Sequence, residues 1–196
     1  MLLEAITRIY RRFLDVLRPL DGLGPLALRI FLAPIMIEAG WRKIAGFEGT
    51  VTWLARMDVP LPEIMGFLAA AAEFGGGICL IFGFCTRLAA IPLMVTMLVA
   101  AFLVHWENGW LAISDASSIF ANDRVMEAAE KKEIIKDIVR EHGNYRYLTS
   151  SGAITILNNG IEFAITYFVM LLALLFTGGG RYVSVDYWIA RWRNIV

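Results

Sequence analysis

Apolar positions in this chain are gathered into long runs instead of recurring with the period of a surface helix. Four runs reach about the 20 residues that a hydrocarbon core demands: Gly24 to Lys43, Pro62 to Phe84, Leu88 to His105 and Ile156 to Thr177. They predict an all-α, polytopic membrane protein, a four-transmembrane-helix bundle forming one domain over residues 1–196. Only Cys85, Thr86 and Arg87 separate the second and third runs, so these two form a tight antiparallel hairpin. The Gly75-Gly76-Gly77 run lets a neighbouring helix approach without a Cβ in the way.

Both ends carry a different pattern. Leu2, Leu3, Ile6, Ile9, Phe13, Leu17 and Leu20 recur at helical spacing, opposite Arg8, Arg11, Arg12 and Arg18, which predicts a helix lying in the headgroup layer. Residues 1–23 are expected to stay in the chain, because the run that follows is full-length, contains Arg29 and ends in no small-x-small cleavage pattern. Tyr187, Trp188, Arg191, Trp192 and Arg193 repeat the interfacial pattern. An even number of crossings puts both termini on one face. The arginines of the N-terminal flank, Arg87, and Arg181, Arg191 and Arg193 predict that this face is cytoplasmic.

A polar insertion, about residues 107–152, separates the third and fourth runs. Within it Val125, Ala128, Ala129, Ile135, Ile138 and Val139 form one stripe, predicting a helix from about Asn122 to His142, with Asn122 or Asp123 at its start and Gly143-Asn144 at its end. Two roles remain open for it: packing on the rim of the bundle, or docking a protein or peptide partner.

Composition agrees with a lipid solvent: 58% of residues are hydrophobic and 18% charged, against roughly 25% charged in a typical soluble domain. The 18 basic and 18 acidic residues cancel, so no basic field exists to hold nucleic acid. Cys79 and Cys85 fall on different faces of one helix, about 9 Å apart along its axis, and do not form a redox pair.

Ionisable groups inside spans are costly and usually functional, which makes Arg29, Glu38, Glu73, His105 and Glu162 the candidates, with Asn158 and Asn159 beside them. Topology places Glu38, Glu73, His105, Asn158 and Glu162 in the same half of the bundle, with Glu162 about 9 Å inside the fourth helix. Glu38 and Arg42 are spaced to pair along one helix. Glu73 has no cation within a turn of its own helix, so it is protonated, pairs with another helix such as through Arg29, or binds a cation. Glu73, His105 and Glu162 could together ligate a metal or relay protons, or could serve only to fix the helices. There is no phosphate-binding glycine loop, nucleophile elbow, HExxH or paired CxxC, so no catalytic residue is assigned and enzymatic activity stays open.

Other residues carry a resemblance. Arg29, Gly40, Lys43, Glu73-Phe74-Gly75-Gly76-Gly77, Gly83, Thr86-Arg87-Leu88, Asn159-Gly160-Ile161-Glu162, Gly178-Gly179-Gly180, Ser184 and Asp186 are similar to the pattern of the DoxX family of small bacterial four-helix membrane proteins. The stretches His105-Trp106-Glu107-Asn108-Gly109-Trp110, Glu141-His142-Gly143-Asn144-Tyr145 and Arg181-Tyr182-Val183-Ser184-Val185-Asp186-Tyr187 resemble its HvfX-type branch, linked to the maturation of copper-binding, ribosomally made peptides. The resemblance implies an accessory subunit or helper of a membrane redox or peptide-maturation system, with quinone or copper as cofactor candidates. The family-motif positions are Gly40, Lys43, Gly76, Arg87, Gly160, Gly180 and Asp186. A small exporter of an ion or peptide and a purely structural anchor, alone or as a homo-oligomer, remain the alternatives.

Overall fold

The structure is a computed structural model that describes residues 2–194, the side chains of Leu2 and Ala5 excepted. Its regular structure is helical: α1 (Leu2–Leu17), α2 (Leu23–Ala45), α3 (Phe47–Arg56), α4 (Pro62–Phe82), α5 (Thr86–Val99), α6 (Asp123–His142), α7 (Tyr145–Leu148), α8 (Glu162–Thr177) and α9 (Val185–Trp192). A wider π-helical turn, Ala100–Val104, extends α5. Among the described residues three helices are long and apolar enough to cross a membrane, Leu23–Ala45, Pro62–Phe82 and Thr86–Val104. Among the described residues no strand forms beyond a single bridge between Ile113 and Leu157.

The chain divides into two compact units, one of residues 1–96 and 167–196, the other of residues 97–166. In the first, α2 and α4 pack antiparallel at very short range, and glycine makes this possible. A Cβ on Gly40 would stand 2.8 Å from Phe74 Cα, and one on Gly77 would stand 2.7 Å from Ile37 Cγ1 and 3.1 Å from the Ala33 carbonyl oxygen. Gly76 points elsewhere on the same helix, toward Leu93 of α5, whose Cδ1 lies 2.9 Å from such a Cβ. Leu32, Ala33, Met36, Leu80, Ala90 and Leu93 fill the interior with almost no exposure. Phe31, Phe67, Leu68, Leu88 and Val95 stand exposed on the outside. A soluble domain places such side chains inside, and a lipid-facing one places them out.

The α4–α5 hairpin is built by local chemistry. Pro62 opens α4, where its missing N–H is of no consequence, and Gly83 closes it in the left-handed region at φ 58°. The Phe84 amide then donates to the Cys79 carbonyl at 2.9 Å and the Gly83 amide to Leu80 at 3.2 Å, which satisfies two carbonyls at the helix end. In the first loop, α3 is an element that its mixed composition did not reveal; its Leu54 is buried and packs against Gly66 of α4.

In the second unit the chain from Ile156 to Gly160 is not helical, with Asn159 at φ 58°, which corrects its reading as the start of a span. Ser114 donates to Ile156 at 3.0 Å, and Asn158 and Asn159 donate to Ala112 at 3.0 and 2.9 Å, so these backbone groups are spent on pairing with residues 109–114. Helix α8 therefore begins only at Glu162 and has 16 residues, about 24 Å of helix. The polar helix α6 is capped by Asn122, whose side-chain oxygen accepts from the Val125 amide at 3.0 Å, and Asn144 caps α7 the same way.

Two glycines of α2 and α4 make opposite predictions from the same substitution. Gly40→Ala pushes against the Phe74 backbone and is expected to lower stability by about 1–3 kcal/mol. Gly75→Ala meets nothing within 4 Å and is expected to raise it by about 0.5–1 kcal/mol. Thermal melts in one detergent check both; a destabilised Gly75→Ala would mean that its face is occupied.

Candidate functional site

The most buried charge of the first unit is Arg29, with no exposed surface. Its two terminal nitrogens donate to the Gly179 and Val183 carbonyls, each at 2.7 Å. The Asp186 carboxylate lies near enough to oppose its charge and accepts from the Cys85 and Thr86 amides at 2.7 and 2.8 Å, at the exposed N-terminus of α5. Ser184 completes the junction by donating its hydroxyl to the Gly83 carbonyl at 3.2 Å. Arg87 reaches the Phe176 carbonyl at 3.1 Å, while Gly178 and Gly180 take φ of 70° to turn the chain back. A Cβ on Gly179 would fall 2.5 Å from Ser184 Oγ and 2.8 Å from Thr86 Oγ1.

Arg29 does not reach Glu73. In the antiparallel register Gly40 faces Phe74, whereas Arg29 lies against Gly83, ten residues or about 15 Å farther along α4. The partner of Glu73 is Lys43, one turn beyond Gly40, with Nζ 2.5 Å from Oε2. The Glu73 side chain is 5% exposed and that of Lys43 29% exposed, so the pair is closed on the carboxylate side and partly open on the ammonium side. Glu38 and Arg42 pair on the outside of α2, both well exposed. The signal for Lys43 was present in the sequence as a motif residue, but periodicity placed it at a helix end and the register was needed to bring it to Glu73.

The second unit holds its own polar centre. Asn158, 2% exposed, donates to the Asn108 and Leu111 carbonyls at 2.8 and 2.7 Å and accepts from Arg124 Nε at 3.2 Å. Glu162 is the first residue of α8, not a residue inside it, and accepts from the Ala112 amide at 2.9 Å. Gly160 is held in a ring of carbonyls, with those of Gly109, Leu111 and Trp110 within 2.6 Å of where a Cβ would be. His105, half-buried after the third apolar helix, keeps its Nδ1 buried and without a partner among the described residues.

Sequence reasoning joined Glu73, His105 and Glu162 into one set. The structure engages Glu73 with Lys43 and Glu162 with the Ala112 amide, and Glu73 belongs to one unit while the other two belong to the second. Among the described residues no three His, Cys, Asp or Glu side chains gather as a metal ion would require. Outside the spans, Asp115 is held below the usual carboxylate range by the Ser117 hydroxyl and amide, at 2.6 and 2.9 Å. Glu127 and Glu133 are lowered by hydrogen bonds from Lys131 and Lys136.

The Lys43–Glu73 pair yields a prediction in the form of a double-mutant cycle. Removing one partner of a buried pair strands the other charge, so Lys43→Met alone is expected to lose about 3 kcal/mol. The double variant Lys43→Met, Glu73→Leu is expected to recover most of that loss. Additive losses in detergent melts would show that the two side chains do not interact.

The DoxX family model matches residues 24–106, the stretch that contains Arg29, Gly40, Lys43, Glu73, Gly76 and Arg87. The chain is 39% identical over 89 residues to the inner membrane protein YqjF of Escherichia coli (strain K12), covering 45% of this chain and 67% of that one. It is 32% identical over 91 residues to the inner membrane protein YphA of the same strain, covering 46% of this chain and 64% of that one. It is 32% identical over 82 residues to the Bacillus subtilis (strain 168) protein named "Putative oxidoreductase CatD", covering 42% of this chain and 60% of that one. The chain thus spans about two thirds of the length of these relatives, and no solved structure is a significant match. With the family model, the identity to YqjF and three apolar helices long enough to cross a bilayer in agreement, the chain belongs to the DoxX family of membrane proteins.

Proposed function

We propose that this DoxX protein is an accessory subunit of a membrane redox system and exchanges protons with a quinone or a redox partner inside the bilayer. The observation that carries this reading is the Lys43–Glu73 pair, a carboxylate almost sealed from solvent and an ammonium that is not, between two apolar helices. Quinone reduction consumes protons as well as electrons, and a carboxylate-ammonium couple within the apolar layer can supply and recover them. The name of the Bacillus relative, an oxidoreductase, points the same way.

In this reading Glu162–Thr177 is the fourth crossing, shortened because residues 156–160 pair with residues 109–114. Both termini then lie on the cytoplasmic face with Arg87, Arg181, Arg191 and Arg193, and the segment 107–152 lies outside. That segment exposes Trp110, Ile119 and Phe120 around a polar hub, a surface suited to a protein or peptide partner, including a copper-binding peptide if the HvfX-type resemblance extends to function. His105, with its unpartnered Nδ1, is the residue of that segment's root proposed to serve the partner.

The test is the quinone and metal content of the detergent-purified protein, by solvent extraction and elemental analysis, for wild type, Glu73→Gln and His105→Ala. Stoichiometric quinone in the wild type, reduced at least tenfold in Glu73→Gln, is the expected result. A wild-type protein free of quinone and metal, with variants that only melt earlier, would reject the redox reading in favour of a structural anchor.

A further inference from the structure

We propose that α1 lies on the bilayer surface as a sensor of anionic phospholipid, gripping the lipid headgroups through Arg8, Arg11 and Arg12. The inference rests on the membrane placement of the spans. Its material is a helix with an uncovered apolar face: Leu3, Ile6, Ile9, Phe13 and Val16 are 57–80% exposed. At 3.6 residues per turn these fall within about half of the circumference, and the three arginines fall on the other half. None of the three arginines forms an ion pair among the described residues. A helix of this kind is unstable in water on its own, since it buries nothing, and a boundary between hydrocarbon and anionic headgroups satisfies both of its faces at once.

Two further features make this more than a detached amphipathic helix. First, its base is fixed. Arg181 Nε donates to Asp21 at 2.6 Å, and the Tyr182 hydroxyl donates to the Pro19 carbonyl, so the end of α1 is tied to the chain segment that enters α9. Helix α9 carries its own interfacial face, with Trp188 60% and Trp192 83% exposed and Arg191 over the Trp188 ring. Second, a shallow hollow of about 450 Å³ opens at this joint, lined by Leu14, Leu17 and Leu20 with Arg18 and Asp21 at its edge. Leucine walls below a charged edge match the acyl chain and headgroup of a phospholipid. The arginines choose which headgroup: each cation near an anionic surface strengthens binding by about fivefold, so three give on the order of a hundredfold.

The experiment uses the full-length protein in nanodiscs of pure phosphatidylcholine and of phosphatidylcholine with phosphatidylglycerol, 3:1, followed by hydrogen exchange of the amides in residues 3–17. Exchange is expected to slow by tenfold or more in the phosphatidylglycerol discs. The Arg8→Gln, Arg11→Gln, Arg12→Gln variant should lose most of that slowing, with exchange at residues 29–40 unchanged. A second variant, Ile6→Asn with Phe13→Asn, should exchange fast in both lipids. Equal exchange of wild-type α1 in the two lipids, or a phosphatidylglycerol effect that survives the arginine variant, would overturn the proposal. A protein that enters neither disc would overturn the membrane placement itself, and the proposal with it.

Discussion

A guanidinium with no contact with water carries a heavy desolvation penalty unless the protein answers its donors, and the first unit is organised around answering the two terminal nitrogens of Arg29, while its Nε has no partner among the described residues. Two of its nitrogens are answered by the Gly179 and Val183 carbonyls, groups that a regular helix would have kept for itself. The last apolar helix therefore has to end at Thr177, and the chain has to turn through Gly178 and Gly180 at positive φ before it can present those carbonyls. The same turn delivers Asp186 to the amides that begin α5 and Ser184 to the carbonyl that ends α4. One buried charge thus fixes the closure of α4, the start of α5 and the return of the C-terminal segment. Truncating the side chain would leave the Gly179 and Val183 carbonyls without their donor, so its loss spreads beyond its own position.

The second unit follows the same logic with a neutral pin. Asn158 offers two N–H donors and an oxygen acceptor, and all three are used: two backbone carbonyls of the 108–111 turn and the Arg124 guanidinium. Gly160 lets the chain pass within van der Waals range of three carbonyls in that turn. Regular helix and sheet are almost missing around residues 105–122, and irregular backbone bonds to residues 156–162 together with side-chain hydrogen bonds take their place. An apolar residue at 158 would leave the Asn108 and Leu111 carbonyls without their side-chain donor.

What the sequence made legible was governed by local rules. Hydrophobic run length found the apolar helices to within two residues at most ends, and Asn122 and Gly83 are local end signals for α6 and α4. Run length failed at Ile156, because an apolar stretch paired as a non-helical segment has the same composition as the first turn of a helix. Intrahelical spacing gave the Glu38–Arg42 contact but could not give Lys43–Glu73, whose geometry depends on how far two helices slide past one another. That offset is set by Gly40 against Phe74 and Gly77 against Ile37, contacts between residues more than 30 positions apart. Of the three states open to Glu73, pairing with another helix is the one found, with Lys43 and not Arg29 as the cation that the register brings to it.

The Lys43–Glu73 pair also bears on how the chain enters the bilayer. Each partner belongs to a different apolar helix, Lys43 in the last turn of α2 and Glu73 midway along α4, and a lone charge near the centre of a helix resists release into lipid by roughly 2.5–3.5 kcal/mol. Glu73 follows Lys43 by 30 positions in the chain, so the cation that neutralises it is already made when α4 emerges. The neutral unit is the helical pair, not the single helix. For Glu73 to enter lipid as one half of a neutral couple, α4 has to meet α2 before it is released.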